Sequence, residues 1–312
     1  MPYSRPLATT LLAETPVPDG LTATVPRELV HRASVAETFL TGVTSTDTDR
    51  FTVFAEWPRA HQLHVSPDRS AYEPLLVAET VRQAGTLIAH TAYEVPMGHQ
   101  FVLRELRITT HPEHLVMGPT PAEPVLRIAV PDVTRRGGRP AGFRYDVEIW
   151  LGEELVGTAH VAATWTSAAV YRRLRGGRTA ATVSALPVPP GLPPAAVDRA
   201  LPADVVLAPA GHPDGWQLRV DTGHAVFFDH PLDHVPGMLL LEAARQAVRA
   251  GARNTRRTAA SFHAVFHQYA ELDVPVWIEA EARSGAHGTD VQVVGRQGES
   301  TVFECGVGTE ER

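Results

Sequence analysis

Two segments of this chain carry nearly the same sequence, and both are typical of an apolar α-helix. Residues 75–84 read LLVAETVRQA, and residues 239–247 read LLLEAARQA. Each segment is interrupted by the same polar motif, Glu-x-x-Arg-Gln. Burying a carboxylate and a guanidinium in such a helix is costly unless they pair with each other or carry out chemistry. The repeat therefore predicts two related domains and identifies the first candidates for a functional site.

Composition restricts the class of protein. The chain has 312 residues, which is too long for one small core and suits two smaller units. Its net charge of −7 argues against a protein that coats nucleic acid, and no apolar run is long enough to span a membrane. A single cysteine, Cys305, favours a reducing cytoplasm, and we expect it to be a buried hydrophobic residue in a late strand. Every basic side chain is an arginine, which excludes a lysine Schiff base.

The chain divides into four predicted parts. Residues 1–25 are rich in Pro and Thr and are expected to form a loose leader. Residues 26–175 form a first repeat, and residues 203–312 form a second. Between them, residues 176–202 are rich in Pro, Ala and Gly, which is typical of a linker.

Each repeat is expected to contain one long helix among five or six strands. The first helix begins at Pro74 and runs to about Thr91, and the second starts at Pro236-Gly237. Hairpin turns are predicted at residues 136–139 and 152–154. The predicted strands are residues 34–39, 51–57, 101–109, 125–130, 143–151, 155–165, 205–208, 216–220, 261–269, 276–283, 290–295 and 301–307.

A helix that is apolar nearly all round needs cover on most of its sides. The economical solution is an antiparallel sheet curved about each helix, with the two repeats packed as a pseudo-dimer. We therefore predict an α+β fold, a tandem (double) hotdog. The order of the strands in the sheet is left open.

The stretch before the second helix, residues 229–237, reads DHPLDHVPG. It resembles the active-site stretch of hotdog hydroxyacyl-carrier-protein dehydratases, in which a His-containing loop leads to Pro-Gly and then to a helix that bears Glu. The interval from Pro236 to Glu242 matches that pattern, but the loop that begins at His230 is two residues shorter. His230 and His234 are therefore predicted to bind substrate or move a proton, and a dehydratase role for His230 is not favoured.

From about residue 25 to the C-terminus, the chain resembles the A-factor biosynthesis (AfsA-type) family of γ-butyrolactone and furan signal synthases from actinomycetes. The resemblance is carried by residues 25–32 (VPRELVHR), residues 76–85 (LVAETVRQAG) and residues 229–246. These segments are long, and their order and spacing fit the family.

The resemblance implies a transfer reaction. Family members are understood to move a β-ketoacyl group from an acyl carrier protein onto a hydroxyl of dihydroxyacetone phosphate, and the ester then closes to a butenolide phosphate. The family's proposed functional residues fall at Glu79, Glu242 and Arg245 of this chain.

The residue types fit such a transfer. The attacking hydroxyl needs a base, and we predict that Glu242 is this base. Burial raises the pKa of a carboxyl whereas Arg245 lowers it, so the net direction stays open. Free N–H groups at the helix start near Gly237 are predicted to hold the oxyanion. Either Arg245 or Arg82 is predicted to bind the phosphate.

A structural interpretation of the repeated motif is also open. Glu-x-x-Arg can be an intrahelical ion pair, and pairing across the repeats, Glu79 with Arg245 and Glu242 with Arg82, would hold the pseudo-dimer in register. Gln83 and Gln246 would either orient an acyl amide or satisfy neighbouring helix groups.

The loop before the second helix is not predicted to bind a metal. Asp229, His230, Asp233 and His234 are the candidate ligands, but Pro231 and the loop setting disfavour a shared coordination geometry.

Arginine-rich segments are candidate docking surfaces for an acidic acyl carrier protein, with plain solvated loops as the alternative. They are residues 171–175 with Arg178, and Arg253 with Arg256 and Arg257.

We therefore predict a cytoplasmic acyltransferase without a cofactor or metal. Its partners are an acyl carrier protein and dihydroxyacetone phosphate, with no nucleic acid or membrane, and further oligomerisation is left open. The alternatives are a double-hotdog dehydratase or thioesterase for carrier-bound substrates, and a non-catalytic acyl-ligand sensor.

Overall fold

The computed structural model describes residues 23–211, 215–251, 257–285 and 288–311. Most of the predicted leader, residues 1–22, lies outside these ranges. The helices of the described residues are α1 (Pro74–Thr91), α2 (Ala168–Leu174) and α3 (Gly237–Gly251). None of them is long and apolar enough to cross a membrane.

Twelve strands are present in the described part of the chain. In the first half they are β1 (Leu40–Asp47), β2 (Arg50–Ala55), β3 (Gln100–Thr110), β4 (Val125–Arg136), β5 (Arg139–Leu151) and β6 (Glu154–Thr166). In the second half they are β7 (Leu207–Pro209), β8 (Gly215–Leu218), β9 (Arg257–Phe266), β10 (Trp277–Gly285), β11 (Gly288–Gln297) and β12 (Ser300–Glu311).

All these strands join one antiparallel sheet in the order β1-β2-β4-β5-β6-β3-β9-β12-β11-β10-β8-β7. Counted outward from the central pair of strands, the two halves place their equivalent strands in the same order. The sheet is therefore built from two copies of one unit. The halves meet where β3 pairs with β9, from Glu105 opposite Val265 to Thr109 opposite Ser261. The prediction of an α+β double hotdog is confirmed.

The helix α1 has the predicted bounds, and its burial explains its composition. Pro74 stands in the first turn, where a missing N–H costs nothing. Every residue of α1 is buried except Arg82. In α3 the buried stretch runs from Met238 to Val248. Both helices therefore bury the Glu and Gln of their polar motifs, whereas the arginine of the motif is buried only in α3.

The predicted hairpins are confirmed by the pairing of their strands. Arg136 pairs with Arg139, and Leu151 pairs with Glu154. The glycines Gly138 (φ 78°) between β4 and β5 and Gly152 (φ 59°) between β5 and β6 adopt the left-handed conformation that such tight turns need. Cys305 is fully buried in β12, as expected.

The predicted strand at residues 34–39 is wrong. Val35–Glu37 is a 3-10 turn, because the Ser34 hydroxyl accepts a hydrogen bond from Ala36 N–H and caps it. The actual first strand, β1, follows at Leu40–Asp47 and was missed because its sequence, LTGVTSTD, is polar and only weakly alternating.

The chain enters β1 and β7 through the same short motif. A 3-10 turn at Arg27–Val30 ends at His31 (φ 55°), and a 3-10 turn at Pro194–Val197 ends at Asp198 (φ 56°). An arginine follows each turn. We propose that the second repeat begins near Pro193, within the segment predicted to be a linker.

Candidate active site

The first polar cluster surrounds Glu79 on α1, which is completely buried. Arg32 Nη2 lies 2.6 Å from Glu79 Oε1, and Arg82 donates to both carboxylate oxygens at 2.8 and 2.7 Å. Burial alone raises the pKa of Glu79, but the charges of Arg32 and Arg82 outweigh it and hold that pKa well below its usual range. The carboxylate is therefore ionised and fixed.

The second cluster surrounds Glu242 on α3 and repeats this geometry. Arg199 donates to the two oxygens of Glu242 at 2.8 and 2.6 Å, and Arg245 donates to both at 3.0 Å. Burial raises the pKa of Glu242, but the charges of Arg199 and Arg245 lower it to about 2. The sequence left the direction of this pKa shift open, and in the structure the pKa is lowered. The Glu242 carboxylate is therefore a poor base at neutral pH.

The two glutamines are structural clamps. Gln83 Oε1 accepts from Phe39 N–H at 3.0 Å, and its Nε2 donates to Glu37 O at 2.7 Å and to Glu79. Gln246 makes the equivalent bonds, for example from Val206 N–H at 2.9 Å. Because both amide groups are engaged, these side chains bond the glutamate of their own helix and the backbone that leads into β1 and β7.

The ion pairs across the repeats that the sequence left open, Glu79 with Arg245 and Glu242 with Arg82, do not form. Each glutamate pairs with the arginine of its own helix. Arginines of these clusters do contact the other half, for example Arg32 with Asp229 at 3.4 Å and Arg245 with Glu73 at 3.9 Å.

A cavity of about 760 Å³ lies between the halves. Its walls come from α1, from the segment around His31, from β3 and from the loop that leads into α3. Four predicted site residues line it, namely Arg82, His230, His234 and Gly237. Glu79, Gln83, Glu242, Arg245 and Gln246 do not line it.

Arg82 connects the first cluster to the cavity. Its Nε and Nη2 atoms bond Glu79 and Val30 O, while its Nη1 makes no hydrogen bond within the described residues. Its side chain is 24% exposed, against 4% for Arg245. Arg82 is therefore a fixed cation with a free donor toward a ligand.

His230 is held by a neighbouring carboxylate. Asp229 accepts from His230 Nδ1 at 2.5 Å and from Ala33 N–H of the other half at 2.9 Å. Although burial raises it, the pKa of Asp229 is lowered by His230 and Arg32. Since Nδ1 carries the proton toward Asp229, the neutral ring has its lone pair on Nε2. The side chain is 40% exposed and lines the cavity.

A second histidine–aspartate pair lies in the same loop. Asp233 Oδ1 accepts from His234 Nδ1 at 2.7 Å and from the hydroxyl of Tyr171 in α2 at 2.7 Å. Arg175 at the end of α2 contacts Asp233 at 3.2 Å and Glu271 at 2.6 Å. This network attaches α2 to the loop.

The start of α3 offers backbone donors. Gly237 and Met238 line the cavity, and neither N–H has a hydrogen-bond partner among the described residues. The first N–H groups of a helix have no intrahelical acceptor and form a natural anion site. Gly237, the predicted oxyanion donor, thus lines the same cavity as Arg82 and His230.

His31 is a cavity residue that the sequence reasoning did not select. Its Nε2 lies 2.8 Å from His90 Nε2, and His90 Nδ1 donates to Val95 O at 2.7 Å. His90 must therefore accept from His31 Nε2–H, which leaves the lone pair of His31 on Nδ1. Burial, His90 and Arg82 lower the pKa of His31 to about 3.

Arg32 and Arg199 were also missed, although the sequence contained a signal for them. The tetrapeptide VHRA at residues 30–33 recurs as VDRA at residues 197–200. Each arginine follows the left-handed residue that ends a 3-10 turn, and that geometry directs it toward the glutamate of its own half.

Part of the cavity wall is apolar. This part is formed by Gly85 on α1 and by Phe101, Phe143, Tyr145 and Ala163 of the sheet. Gly85 is required because the Tyr145 hydroxyl would lie only about 2.3 Å from a Cβ at this position. The cavity is thus lined by both polar and apolar side chains.

A smaller cavity of about 370 Å³ occupies the position related to the first by the duplication. Its walls include Arg245, Asp198 and Pro74, the counterparts of Arg82, His31 and Gly237. Pro74 has no N–H, and among the described residues no histidine lines this cavity. The functional groups are therefore concentrated in the larger cavity.

The predicted basic runs are only partly exposed. Arg172 and Arg173 are exposed, whereas Arg175 is buried in the network described above. Arg253 and Arg256 lie outside the described residues. Within those ranges, no group of three or more His, Cys, Asp or Glu side chains is placed to hold a metal ion.

Comparison with known proteins agrees with this duplicated architecture. The model of the A-factor biosynthesis hotdog domain matches residues 13–167 and again residues 180–304. A 2-oxo-3-(phosphooxy)propyl 3-oxoalkanoate synthase from Streptomyces virginiae is 47% identical over 291 residues, which cover 93% of this chain and 98% of the relative. A protein of the same name from Streptomyces coelicolor is 39% identical, with 89% of each chain covered.

A solved structure shows the same fold at low identity. The 12:0-ACP thioesterase from Umbellularia californica gives a TM-score of 0.50 with 10% identity, covering 84% of this chain and 94% of that one. At this identity the likeness concerns the fold alone.

Proposed function

Because this chain belongs to the A-factor biosynthesis hotdog family, we propose that it is an acyltransferase that forms a 2-oxo-3-(phosphooxy)propyl 3-oxoalkanoate. The name of that product contains an acyl part and a phosphorylated three-carbon part. We propose that the acyl part arrives as a β-ketoacyl thioester on an acyl carrier protein and that the acceptor is dihydroxyacetone phosphate.

One observation carries this proposal. The larger cavity is lined by Arg82, by His31 and His230, by the helix-start residues Gly237 and Met238, and by the apolar side chains of Phe101 and Phe143. A phosphorylated alcohol and a fatty acyl chain need this pair of environments. Among the described residues, the smaller cavity is lined by Arg245 and Arg249 but by no histidine, and Pro74 stands there in place of Gly237.

Arg82 is assigned to the phosphate. Its Nη1 is free for a ligand, and Glu79 and Val30 O fix the rest of the guanidinium. A fixed arginine loses little entropy when it binds a phosphate oxygen, and the charge-assisted bond is strong. In this proposal Glu79 is a positioning residue, because it touches Arg82 and not the cavity.

The thioester carbonyl is assigned to the start of α3. Its oxygen gains negative charge as the acceptor hydroxyl attacks, and the N–H groups of Gly237 and Met238 are the donors for it. Backbone donors at a helix start need no rearrangement during the reaction. The acyl chain extends toward Phe143 and Tyr145.

His230 is assigned as the base in place of Glu242. Glu242 is fully buried between two arginines, with a pKa lowered to about 2, and it does not line the cavity. His31 does line it, but a pKa of about 3 makes it a weak proton acceptor. His230 has Nδ1 held by Asp229 and its Nε2 lone pair free to accept a proton.

The acceptor hydroxyl loses its proton to His230 Nε2 while its oxygen bonds to the thioester carbon. The C–S bond breaks, and the imidazolium returns the proton to the leaving thiolate. The ester and the free carrier thiol are the products, and no oxidant or cofactor is consumed.

The test is a reaction of the purified protein with a β-ketoacyl carrier-protein thioester, with and without dihydroxyacetone phosphate. We expect a phosphorylated ester by mass spectrometry only when the acceptor is present. Release of free acid at the same rate without acceptor would favour a thioesterase, and tight acyl binding without turnover would favour a sensor.

The same assay separates the two candidate bases. We expect Glu242→Gln to retain activity per folded molecule, whereas His230→Gln loses it. If Glu242→Gln lost activity while remaining folded and His230→Gln kept its activity, Glu242 would be the base instead.

A further inference from the structure

One long segment of this acidic chain has no acidic residue. Between Glu154 and Asp198 the sequence contains arginines but neither Asp nor Glu, although the net charge of the whole chain is −7. The helix α2 lies in the middle of this segment. A local excess of positive charge on an acidic protein favours an acidic partner.

The outer face of α2 combines charge with exposed apolar surface. Val170 is 40% exposed and Leu174 is 70% exposed, and Arg173 lies beside them on the same exposed face. Arg173 forms no ion pair within the part of the chain that the structure describes. This face of Val170, Arg173 and Leu174 has the mixed character of a docking surface.

The inner face of α2 is firmly attached to the active site. Tyr171 donates to Asp233, and Arg175 bonds both Asp233 and Glu271. Asp233 also holds His234. A partner on the outer face would therefore lie at a fixed position relative to the catalytic loop.

The position of α2 relates this surface to the cavity. Ala168, Tyr171 and Arg172 of α2 line the cavity, and so does Met97, which is 54% exposed. The outer face of α2 thus stands at the rim of the opening. A long flexible arm could enter from a partner held there.

We propose that the outer face of α2, formed by Val170, Arg173 and Leu174, docks the acidic carrier protein whose pantetheine arm delivers the acyl group. This inference rests on the proposed function. Opposite charge speeds the encounter of the two proteins, and the apolar side chains bury a small central contact.

The experiment compares two donors in one enzyme. One donor is the β-ketoacyl group on the carrier protein, and the other is the same acyl group on N-acetylcysteamine, which lacks the protein. For Arg173→Glu we expect kcat/KM with the carrier-bound donor to fall about tenfold at low salt, because electrostatic steering is lost. With the small thioester we expect no change.

The matched control is Arg136→Glu, an exposed arginine on the β4–β5 hairpin. It makes the same charge change and should leave both donors unaffected. Leu174→Ser tests the apolar part of the surface and should raise KM for the carrier-bound donor alone.

Equal kcat/KM for the carrier-bound donor in Arg173→Glu and wild type would overturn the docking proposal. The proposal would also be overturned if Arg173→Glu lost binding to anionic lipid vesicles but kept its kcat/KM for the carrier-bound donor. That result would assign the surface to a membrane. If the wild-type chain forms no ester from either donor, the proposed function fails, and the docking proposal fails with it.

Discussion

The two Glu–Arg–Gln clusters are built from the same contacts but face different surroundings. Around Glu79 the second arginine, Arg82, is partly exposed and reaches the larger cavity. Around Glu242 the second arginine, Arg245, is buried and turned toward Glu73. In both halves the glutamate holds its arginines in place, but only Arg82 is partly exposed at the larger cavity, where we propose that it binds the phosphate.

His230→Ala should produce the largest loss of activity, about 10²- to 10⁴-fold in kcat, because a base is removed from the reacting hydroxyl. The first half has no histidine at the equivalent position, where Pro67 stands. The measurement is ester formation with the short thioester, together with thermal unfolding to show that the variant is folded. His267→Ala, at an exposed histidine that pairs with Glu304, is the control. A kcat within a few-fold of wild type would show that the loop histidine is dispensable.

Gly237→Pro tests the oxyanion donors by giving the second half the residue of the first. Proline is tolerated in a first helical turn but has no N–H, so we expect kcat to fall about 10²- to 10³-fold. Gly237→Ala is the matched control. It adds a Cβ 3.1 Å from Phe266 but keeps the N–H. If kcat fell equally in the two variants, the added side-chain atoms, and not the missing N–H, would be the cause.

Arg82→Gln and Arg245→Gln test the two arginines directly. Losing a charge-assisted bond of about 1.5–3 kcal/mol should raise the KM for dihydroxyacetone phosphate about 10- to 100-fold in Arg82→Gln. Arg245→Gln should lower the free energy of unfolding, since it leaves Glu242 with one arginine, but should leave that KM unchanged. If both variants raised this KM by the same factor, the proposal that only Arg82 binds the phosphate would be wrong.

His64→Phe tests a smaller difference between the halves. His64 is fully buried against His61 and Phe39, and neither ring nitrogen has a hydrogen-bond partner among the described residues. Phe227 occupies the equivalent place beside His224. Because an unsatisfied buried polar group costs about 1–3 kcal/mol, the variant should unfold at a higher denaturant concentration.

This stabilisation should depend on pH. Burial lowers the pKa of His64 well below 6.5, so below pH 6.5 the unfolded chain takes up a proton that the folded chain does not. The wild type therefore loses stability as the pH falls below 6.5. We expect the advantage of His64→Phe to grow by about 1 kcal/mol between pH 7.5 and pH 5.5. A constant difference across that range would contradict the assignment of a neutral buried histidine.

Much of the fold followed from the sequence, because the features that determine it are local. The motif from Glu79 to Gln83 and its copy on α3 indicated the duplication, and Pro74 marked the first turn of α1. The strand β1 was missed because its polar sequence is ordered by pairing with β2, a contact that periodicity does not show.

The active site was harder to predict because it is assembled from distant segments. The sequence places Glu242 and Gly237 in one helix and suggests that they act together. In the fold, Gly237 faces the cavity that receives Arg82, while Arg245 faces the other cavity. The side of a helix that meets the partner half is decided by packing between the halves.

The pairing of β3 with β9 joins the two repeats in one sheet of one chain, and this affects how the sequence of the enzyme can evolve. In an assembly of identical subunits, every substitution appears in all sites at once, so no site can be given up. Here both copies of the ancestral unit are encoded in one polypeptide, and each can accumulate its own substitutions. One copy can then specialise in presenting a loop and the other in presenting a cation, while their shared sheet keeps the two aligned.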